Sequence, residues 1–307
     1  MASLPDGAPP RRFAGLLARC AFPAAGTPVA CAVSGGADSL ALLVLAVEAG
    51  CRVTAIHVDH GTRAGSERDA AVVERAAARF GAAFEARSVS VAAGPNLEAR
   101  WREARRSVLP LGALTGHTAD DQAETVVLNL LRGSAAAGLA GIRPGPTKPL
   151  LRLRRRDTRA LCAALGLETV DDPTNHDPAF RRARVRTEVM PLLAEVAGRD
   201  VAAVVARNAM LLGDDDDLLS ALSAAIEPTD ARALAAAPPP LARRAVRRWL
   251  SGGHPPDSAT VERVLAVARG EALACEVGGG RRVERHAMRL RLVLSREAGG
   301  TASRRTW

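Results

Sequence analysis

The stretch Val29–Gly50, VACAVSGGADSLALLVLAVEAG, decides the fold of the chain. It starts with a short apolar run, Val29–Val33, which is too short for a helix and is typical of a buried strand. A glycine turn follows, and the apolar run Leu40–Val47 then predicts a buried helix that ends at Gly50. The order strand, glycine turn, helix start places backbone N–H groups at the positive end of a helix dipole. Phosphate oxygens favour that environment.

The turn itself narrows the kind of phosphate site. Its residues are Ser34, Gly35, Gly36, Ala37, Asp38 and Ser39. A Walker A loop needs a lysine here and a dinucleotide fingerprint needs Gly-x-Gly-x-x-Gly, and the turn has neither, because the one lysine of the chain is the distant Lys148. Hydroxyl and amide groups of the turn suit a pyrophosphate, and Asp38 suits a Mg²⁺ that bridges phosphate oxygens. The alternative is an ordinary strand–helix turn in which Asp38 or Ser39 only caps the helix.

A second polar motif, His117-Thr-Ala-Asp-Asp-Gln-Ala-Glu-Thr125, follows a predicted strand. Asp121 and Glu124 are three residues apart, so they share one face near the start of a helix. One carboxylate could bind Mg²⁺ while the other holds or deprotonates an amine. The alternative is helix capping, since acidic residues favour the first turn of a helix.

A third motif is rich in arginine. Arg182 and Arg186 are four residues apart and fall on one helical face, from which their guanidinium groups could clamp phosphates of ATP or RNA. The alternative is a solvated basic face.

Predicted strands and helices alternate through the first two thirds of the chain, which favours an α/β fold with a doubly wound, mostly parallel sheet. Ligands of such sheets bind beyond the carboxyl ends of the strands, so the loops after Val33, Val58 and Thr115 should converge on one site. The pattern changes after residue 198, and we predict domains over 1–198 and 199–307. The second is mainly helical, with a helix over 201–222 interrupted by Gly213 and a hairpin or meander over 274–294.

Composition limits the function further. The 307 residues carry a net charge of +9 and a pI near 10.8, which makes a polyanionic partner plausible. The five cysteines include no C-x-x-C pair, as expected for reduced thiols in the cytoplasm. The N-terminus lacks the apolar segment of a secretory signal, and no apolar run approaches the roughly 18 residues of a membrane span. We therefore expect a cytoplasmic protein without a membrane partner.

The Ser34–Ser39 turn resembles the signature of the PP-loop ATP pyrophosphatases, and the remaining motifs resemble one family among them, the tRNA(Ile)-lysidine synthases. The resemblance runs in order from about residue 28 to 195. Its stretches are Ser34–Ser39, His57–Gly61, Glu98–Arg106, His117–Thr125, Arg132–Ser134, Gly138–Gly141 and Asp172–Leu193. The chain departs from the family pattern at Trp101, Arg106 and Ala183, where the pattern has alanine, tyrosine and asparagine.

The resemblance implies an adenine-nucleotide alpha-hydrolase-like fold and a ligase. Such an enzyme uses ATP, Mg²⁺ and free lysine to convert the wobble cytidine of a CAU-anticodon tRNA(Ile) to lysidine, through an adenylated cytidine. The implied roles are as follows: catalysis by Asp38, Asp121, Glu124 and Arg182; ATP binding by Ser34–Ser39, His57 and His117; metal binding by Asp38 and Asp121; and RNA binding by Arg102, Arg105, Arg132 and Arg186. The residues 199–307 would bind tRNA, and a homodimer is left open.

Three rivals remain from the residues. One is a tRNA thiolase, although a thiolase that depends on C-x-x-C is disfavoured here. Another is a small-molecule synthetase of the GMP type, which usually carries an ammonia-generating domain. The third, from a different class, is a non-catalytic RNA-binding protein on a degenerate nucleotide fold, and the intact acidic motifs argue against it.

Overall fold

The computed structural model of the chain describes residues 13–59, 66–91, 97–172, 177–252 and 255–294. The chain divides into two compact units, Met1–Gly213 and Asp214–Trp307. This division falls later than the predicted domain boundary at residue 198, which stays a prediction.

A four-stranded parallel sheet organises the first unit. Its strands are β1 (Pro28–Ala32), β2 (Arg52–Asp59), β3 (Ala83–Ser88) and β4 (Leu114–Thr115), in the order β3-β2-β1-β4. Val29 lies opposite Val53, and Cys31 lies opposite Leu114, so β1 is the central strand between β2 and β4. The parallel pairing and the intervening helices confirm the α/β fold that the alternating pattern predicts.

Helices connect and follow these strands. They are α1 (Ala14–Leu17), α2 (Ala37–Glu48), α3 (Ser66–Arg79), α4 (Leu97–Val108), α5 (Ala119–Leu131), α6 (Ala136–Leu139), α7 (Arg155–Ala164) and α8 (Arg181–Arg184). A π-helical turn, Val185–Val189, joins α8 to α9 (Met190–Ala197), and α10 (Ala202–Ala224) follows. Helices thus alternate with the strands of the sheet, and the first unit ends in a run of consecutive helices.

The core of the first unit surrounds α2. Every residue from Ser39 to Ala46 is buried, and the helix contacts β1, β2, β4, α3 and α7. The residue after β4, Gly116, comes very close to the first turn of α2. A Cβ added to Gly116 would lie 2.6 Å from the carbonyl oxygen of Asp38. Only glycine allows this approach, and it brings the loops after β1 and β4 together.

The second unit combines helices with a small antiparallel sheet. Its elements after α10 are α11 (Ala231–Ala236), α12 (Pro239–Leu250), α13 (Ser258–Arg269), β5 (Ala274–Gly278), β6 (Arg281–His286) and β7 (Arg289–Leu294). The strands follow one another in the order β5-β6-β7, which is the predicted meander. Buried residues of α11, α12, α13 and the sheet form its core, among them Leu234, Val246, Val264 and Val283.

The predicted interruption of the helix over 201–222 is wrong. The helix α10 continues through Gly213 and the acidic run 214–217. One glycine costs a helix only about 1 kcal/mol, which the remaining residues outweigh. Asp216 is buried and pairs with Arg244 at 2.8 Å, so one member of the acidic run does not belong to a solvated face.

Within the described ranges, no helix has the length and apolar character needed to cross a membrane.

Candidate active site

The glycine turn between β1 and α2 is held by hydrogen bonds among its own residues. The Ser34 N–H donates to the Ser39 hydroxyl at 3.1 Å, and that hydroxyl donates to the Gly36 carbonyl at 2.8 Å. Gly35 has a φ of +90°, and a Cβ there would meet the Val170 side chain at 2.7 Å. The positive φ and the close neighbour explain why glycine is needed at this point. The turn is thus a preformed backbone concavity at the start of a buried helix.

The carboxylate of Asp38 does not cap helix α2. One of its carboxylate oxygens accepts a hydrogen bond from the Thr158 hydroxyl, and the other lies 3.4 Å from the Arg155 guanidinium. Burial raises the pKa of Asp38, and the nearby charge of Asp121 raises it further against the hydrogen bond from Thr158. The carboxylate therefore occupies a site where a cation would stabilise its charge.

Asp121 both caps helix α5 and pairs with two arginines. Its Oδ2 accepts bonds from the backbone N–H and the hydroxyl of Thr118, at 2.8 and 2.9 Å, so it does cap α5. Its Oδ1 accepts from Arg155 and Arg182, each at 3.1 Å. Burial raises the pKa of Asp121, but the charges of the two arginines and the Thr118 bond outweigh burial and lower it to about 2. Asp121 is therefore ionised at any physiological pH.

Glu124 is the most deeply buried of the three carboxylates, with 2% of its surface exposed. It accepts from Arg155 at 2.9 Å, from Arg182 at 3.0 Å, and from Arg186 at 2.8 and 3.1 Å. Arg182 and Arg186 therefore face inward and do not form a solvated basic face. Such charge-assisted, multiply bonded pairs are the strong kind in proteins. We call Asp38, Asp121, Glu124, Arg155, Arg182 and Arg186 the carboxylate–arginine cluster.

Arg155 is the residue that sequence reasoning missed. It contacts all three carboxylates and so joins the first turn of α2 to the start of α5. The only signal in the sequence was its membership of the arginine-rich run 152–156. Nothing in that run distinguishes Arg155, which reaches the three carboxylates, from its neighbours.

The two predicted histidines have different surroundings. His57, which is 4% exposed, has its Nδ1 3.0 Å from the Val33 carbonyl oxygen and so fixes the end of β2 against β1. His117 has its Nδ1 2.8 Å from the Thr115 hydroxyl, which also accepts from Lys148 at 2.7 Å. Burial lowers the pKa of His117 to about 4, against the raising effect of Asp121. His117 is therefore a neutral imidazole beside the cluster at neutral pH.

The predicted RNA-binding arginines are spread out. Arg132 is exposed at the end of α5, with its Nη1 3.4 Å from the Asn129 side-chain oxygen. Arg105 lies on α4 near enough to His117 to lower its pKa, while Arg186 is held by Glu124. The side chain of Arg102 and the motif residues 60–61 and 173–176 lie outside the described residues.

The cluster has the donor chemistry that Mg²⁺ requires. Arg155 bridges Asp38 and Asp121, so two carboxylates converge beside the glycine turn. Mg²⁺ is commonly held by one or two carboxylates together with substrate phosphates and water. In the described part of the chain no three His, Cys, Asp or Glu side chains group around one potential metal position. The residues fit a metal that arrives with a nucleotide and not an all-protein cage.

Comparison with known proteins adds three findings. Residues 11–193 match the model of a family described as a PP-loop domain. The chain is 44% identical over 306 residues to a tRNA(Ile)-lysidine synthase of Nocardia farcinica, covering 92% of this chain and 94% of that one. It is 42% identical over 241 residues to the synthase of Rhodococcus opacus, covering 72% and 73%.

Among solved structures, the chain is similar to the U34-tRNA thiolase NcsA from Methanococcus maripaludis with its [4Fe-4S] cluster. The TM-score is 0.49 at 20% sequence identity, over 62% of this chain and 73% of that one.

Proposed function

The chain belongs to the tRNA(Ile)-lysidine synthase family, and we propose that its carboxylate–arginine cluster is where lysine is joined to the wobble cytidine of a CAU-anticodon tRNA(Ile). The reaction consumes ATP and releases AMP and pyrophosphate. The product, lysidine, changes codon reading from AUG to AUA. The observation that carries the assignment is the meeting of three carboxylates and three arginines beside the Ser34–Ser39 turn.

In the first step the cytosine O2 attacks the α-phosphorus of ATP, and pyrophosphate leaves into the Ser34–Ser39 turn. The backbone amides of the turn and the N-terminus of α2 stabilise the phosphate charge. Asp38 and Asp121 would hold Mg²⁺, which neutralises the triphosphate charge when it is bound. Arg155 already lies between these two carboxylates, so it exchanges them for phosphate oxygens as the nucleotide enters.

In the second step the side-chain amine of lysine attacks C2 of the adenylated cytidine, and AMP leaves. The free amine of lysine is protonated at neutral pH, so it needs a carboxylate that holds it and accepts its proton. Glu124 and Asp121 lie on one face of α5, which supports this role for the pair. The pKa of Asp121, about 2, suits a group that holds a cation and keeps no proton.

The arginines of the cluster balance the charges in both steps. Arg182 contacts Asp121 and Glu124, which supports a role for it toward the α-phosphate and the departing AMP. A guanidinium group keeps its positive charge at any pH that the enzyme meets, and it binds phosphate through two parallel N–H groups. Arg182 therefore acts as a stabiliser of phosphate charge.

The tRNA is recognised by charge and by access to a single base. A net charge of +9 attracts a polyanion, and the exposed Arg132 is available for a phosphate. The cytidine must leave the stack of the anticodon loop before its O2 and C2 can react, as single-stranded RNA readers require. The cytoplasmic location, the homodimer and tRNA binding by residues 199–307 stay predictions.

The two chemical steps can be separated by variants. Release of pyrophosphate from ATP reports the first step and release of AMP reports the second, and both are measured with unmodified tRNA(Ile), with and without lysine. We expect Asp38→Asn to reduce pyrophosphate release and lysine transfer together, about 100-fold or more. We expect Glu124→Gln to slow lysine transfer more than it slows formation of the adenylated tRNA.

The matched control is Glu48→Gln, at the far end of α2, which should keep both steps. Near-normal pyrophosphate release by the Asp38 variant would contradict the assignment of that carboxylate. Equal loss of both steps in the Glu124 variant would contradict its role toward the amine.

A further inference from the structure

The first turn of α2 is held by one face of α7. Arg155, Thr158 and Cys162 are spaced by three and four residues, so their side chains lie on the same face of that helix. Arg155 and Thr158 contact the carboxylate of Asp38, and the Cys162 thiol donates to the Ala37 carbonyl at 3.4 Å. Neither Thr158 nor Cys162 has a role in the chemistry described above.

The two helices belong to one hydrophobic core. Leu161 and Cys162 of α7 pack in the same cluster as residues 40–46 of α2. Thr158 is fully buried, and Cys162 is almost fully buried. A side chain that is enclosed on a packed helix keeps a fixed position. The Thr158 hydroxyl therefore presents a fixed hydrogen-bond donor to Asp38.

The Thr158 hydroxyl has one hydrogen and lies near two acceptors. These are Oδ1 of Asp38 and the backbone carbonyl of Arg155, which is 2.8 Å away. A threonine in a helix often donates to a carbonyl of the preceding turn. An ionised carboxylate is the stronger acceptor, so the hydrogen goes to Asp38. This bond joins residues that are 120 positions apart in the chain.

The two oxygens of the Asp38 carboxylate are therefore unequal. Oδ1 is occupied by Thr158, whereas Oδ2 lies 3.4 Å from the Arg155 Nε, a longer distance than the 2.9 Å between Arg155 and Glu124. The side chain of Asp38 is 26% exposed, against 13% for Asp121 and 2% for Glu124. A cation that enters beside the glycine turn thus meets one accessible, weakly bonded oxygen of Asp38.

The number of oxygens that a carboxylate offers affects which cation it selects. Ca²⁺ binds carboxylates through one or both oxygens in flexible geometry, whereas Mg²⁺ requires a near-ideal octahedral set of ligands. We propose that Thr158 is a positioning residue that limits Asp38 to one metal-binding oxygen and so makes the nucleotide site prefer Mg²⁺ to Ca²⁺. This inference rests on the proposed function, because it takes Asp38 as a ligand of the metal that arrives with ATP.

The test compares the binding of MgATP, CaATP and metal-free ATP to the full-length protein. Calorimetric titrations are made without tRNA, so that the nucleotide is not consumed. We expect the unaltered protein to bind MgATP more tightly than CaATP. In Thr158→Val the dissociation constant of MgATP rises about 10-fold, because a metal ligand loses the hydrogen bond that orients it. The constants of CaATP and metal-free ATP stay nearly unchanged, since both oxygens of Asp38 can now bind the larger ion.

Further variants separate the hydroxyl from the shape of the side chain. Thr158→Ser keeps the hydroxyl and should keep the preference for MgATP. Thr158→Ala removes the hydroxyl without placing a methyl group against Asp38, so it should lose the preference even if the valine variant does not fold. The matched control is Thr187→Val, because the Thr187 hydroxyl donates to the Ala183 carbonyl of its own helical segment at 2.9 Å. In an Asp38→Asn background, Thr158→Val should have no further effect on the preference.

Equal affinity of the unaltered protein for MgATP and CaATP would overturn the inference. So would alanine and valine variants that keep the preference, or that weaken all three forms of ATP equally, since the latter result is that of a purely structural threonine. A preference for MgATP that depends on Thr158, in a protein that never joins lysine to tRNA, would support the inference and contradict the proposed function. Ligation by a protein whose preference does not depend on Thr158 would do the reverse.

Discussion

At the scale of residues, Asp38, Asp121 and Glu124 lie together, but the groups that surround each carboxylate and stabilise or destabilise its charge differ. Burial and the charge of Asp121 raise the pKa of Asp38. Arginine charges lower the pKa of Asp121 to about 2 despite its burial. Glu124 is surrounded by guanidinium groups. Neighbouring carboxylates with such different surroundings are suited to different parts of a reaction.

Arg155 should stabilise the fold as well as bind substrate. In Arg155→Met the three carboxylates lose a shared cation at a site where the Arg155 side chain is 16% exposed. Breaking a buried pair on one side leaves charge uncompensated, and we expect a loss of about 3 kcal/mol in the free energy of unfolding. Urea unfolding near neutral pH measures the loss. Arg155→Lys, which keeps the charge, should lose less, and a Met variant as stable as the parent would contradict the expectation.

Asp121 should make stability depend on acidity. Its pKa is 3.8 when unperturbed and about 2 in the folded chain, so the unfolded state binds its proton first as the pH falls. The stabilising contribution is complete above pH 3.8 and is lost as the pH falls toward 2, with a size of roughly 2 kcal/mol.

Comparison with Asp121→Asn isolates this contribution. The difference in unfolding free energy between the parent and the variant should narrow across that pH range when it is measured by urea unfolding. A difference that stays constant from neutral pH to about pH 2 would show that the pKa of Asp121 is not lowered in the folded state.

Part of the site could be predicted from short-range spacing alone. Residues three or four apart share a helix face, which correctly brings Asp121 beside Glu124 and Arg182 beside Arg186. The direction of those faces depends on contacts between distant segments. The pairing of Arg155 with Asp38 links residues separated by 117 positions, and no local pattern reveals it.

At the scale of elements, the approach of β4 to α2 positions the site. Gly116 lies against the backbone of Asp38, and a methyl group there would come within 2.6 Å of its carbonyl oxygen. We expect Gly116→Ala to lower the free energy of unfolding by about 1–3 kcal/mol, because overpacked backbone must shift. It should also slow AMP release, since Asp38 moves with that backbone.

Gly145→Ala is the control for this prediction. A Cβ at Gly145 has no neighbour within 4 Å, so thermal unfolding of this variant should resemble that of the parent. Equal stability of the Gly116 and Gly145 variants would contradict the close approach of the two elements.

Regular elements follow from sequence more readily than irregular ones. The hydrophobic runs predicted α2 and the early strands because burial dictates their composition. The π-helical turn Val185–Val189 carries no such pattern. It nevertheless follows α8, which carries Arg182, and it contains Arg186, and both arginines bind Glu124. The continuity of α10 was missed because glycine and four aspartates suggest an interruption that the whole helix overrides.

At the scale of the whole molecule, the excess of positive charge should govern the interaction with tRNA. A protein that contacts phosphates releases counterions, so its affinity falls with salt concentration. Arg132 is exposed at the end of α5. We expect Arg132→Ala to weaken tRNA binding and to reduce by about one the slope of log affinity against log salt concentration. Filter binding at several salt concentrations measures the slope, and an unchanged slope would remove Arg132 from the interface.

The most direct test of the proposed function is incorporation of labelled lysine into unmodified CAU-anticodon tRNA(Ile) with ATP and Mg²⁺. A tRNA whose wobble cytidine is replaced serves as the control. We expect label that depends on ATP and appears only in the cytidine-bearing tRNA. Release of AMP that depends on tRNA but brings no label would contradict lysine as the nucleophile. If neither AMP nor label is formed, the assignment of the carboxylate–arginine cluster as a catalytic site is contradicted.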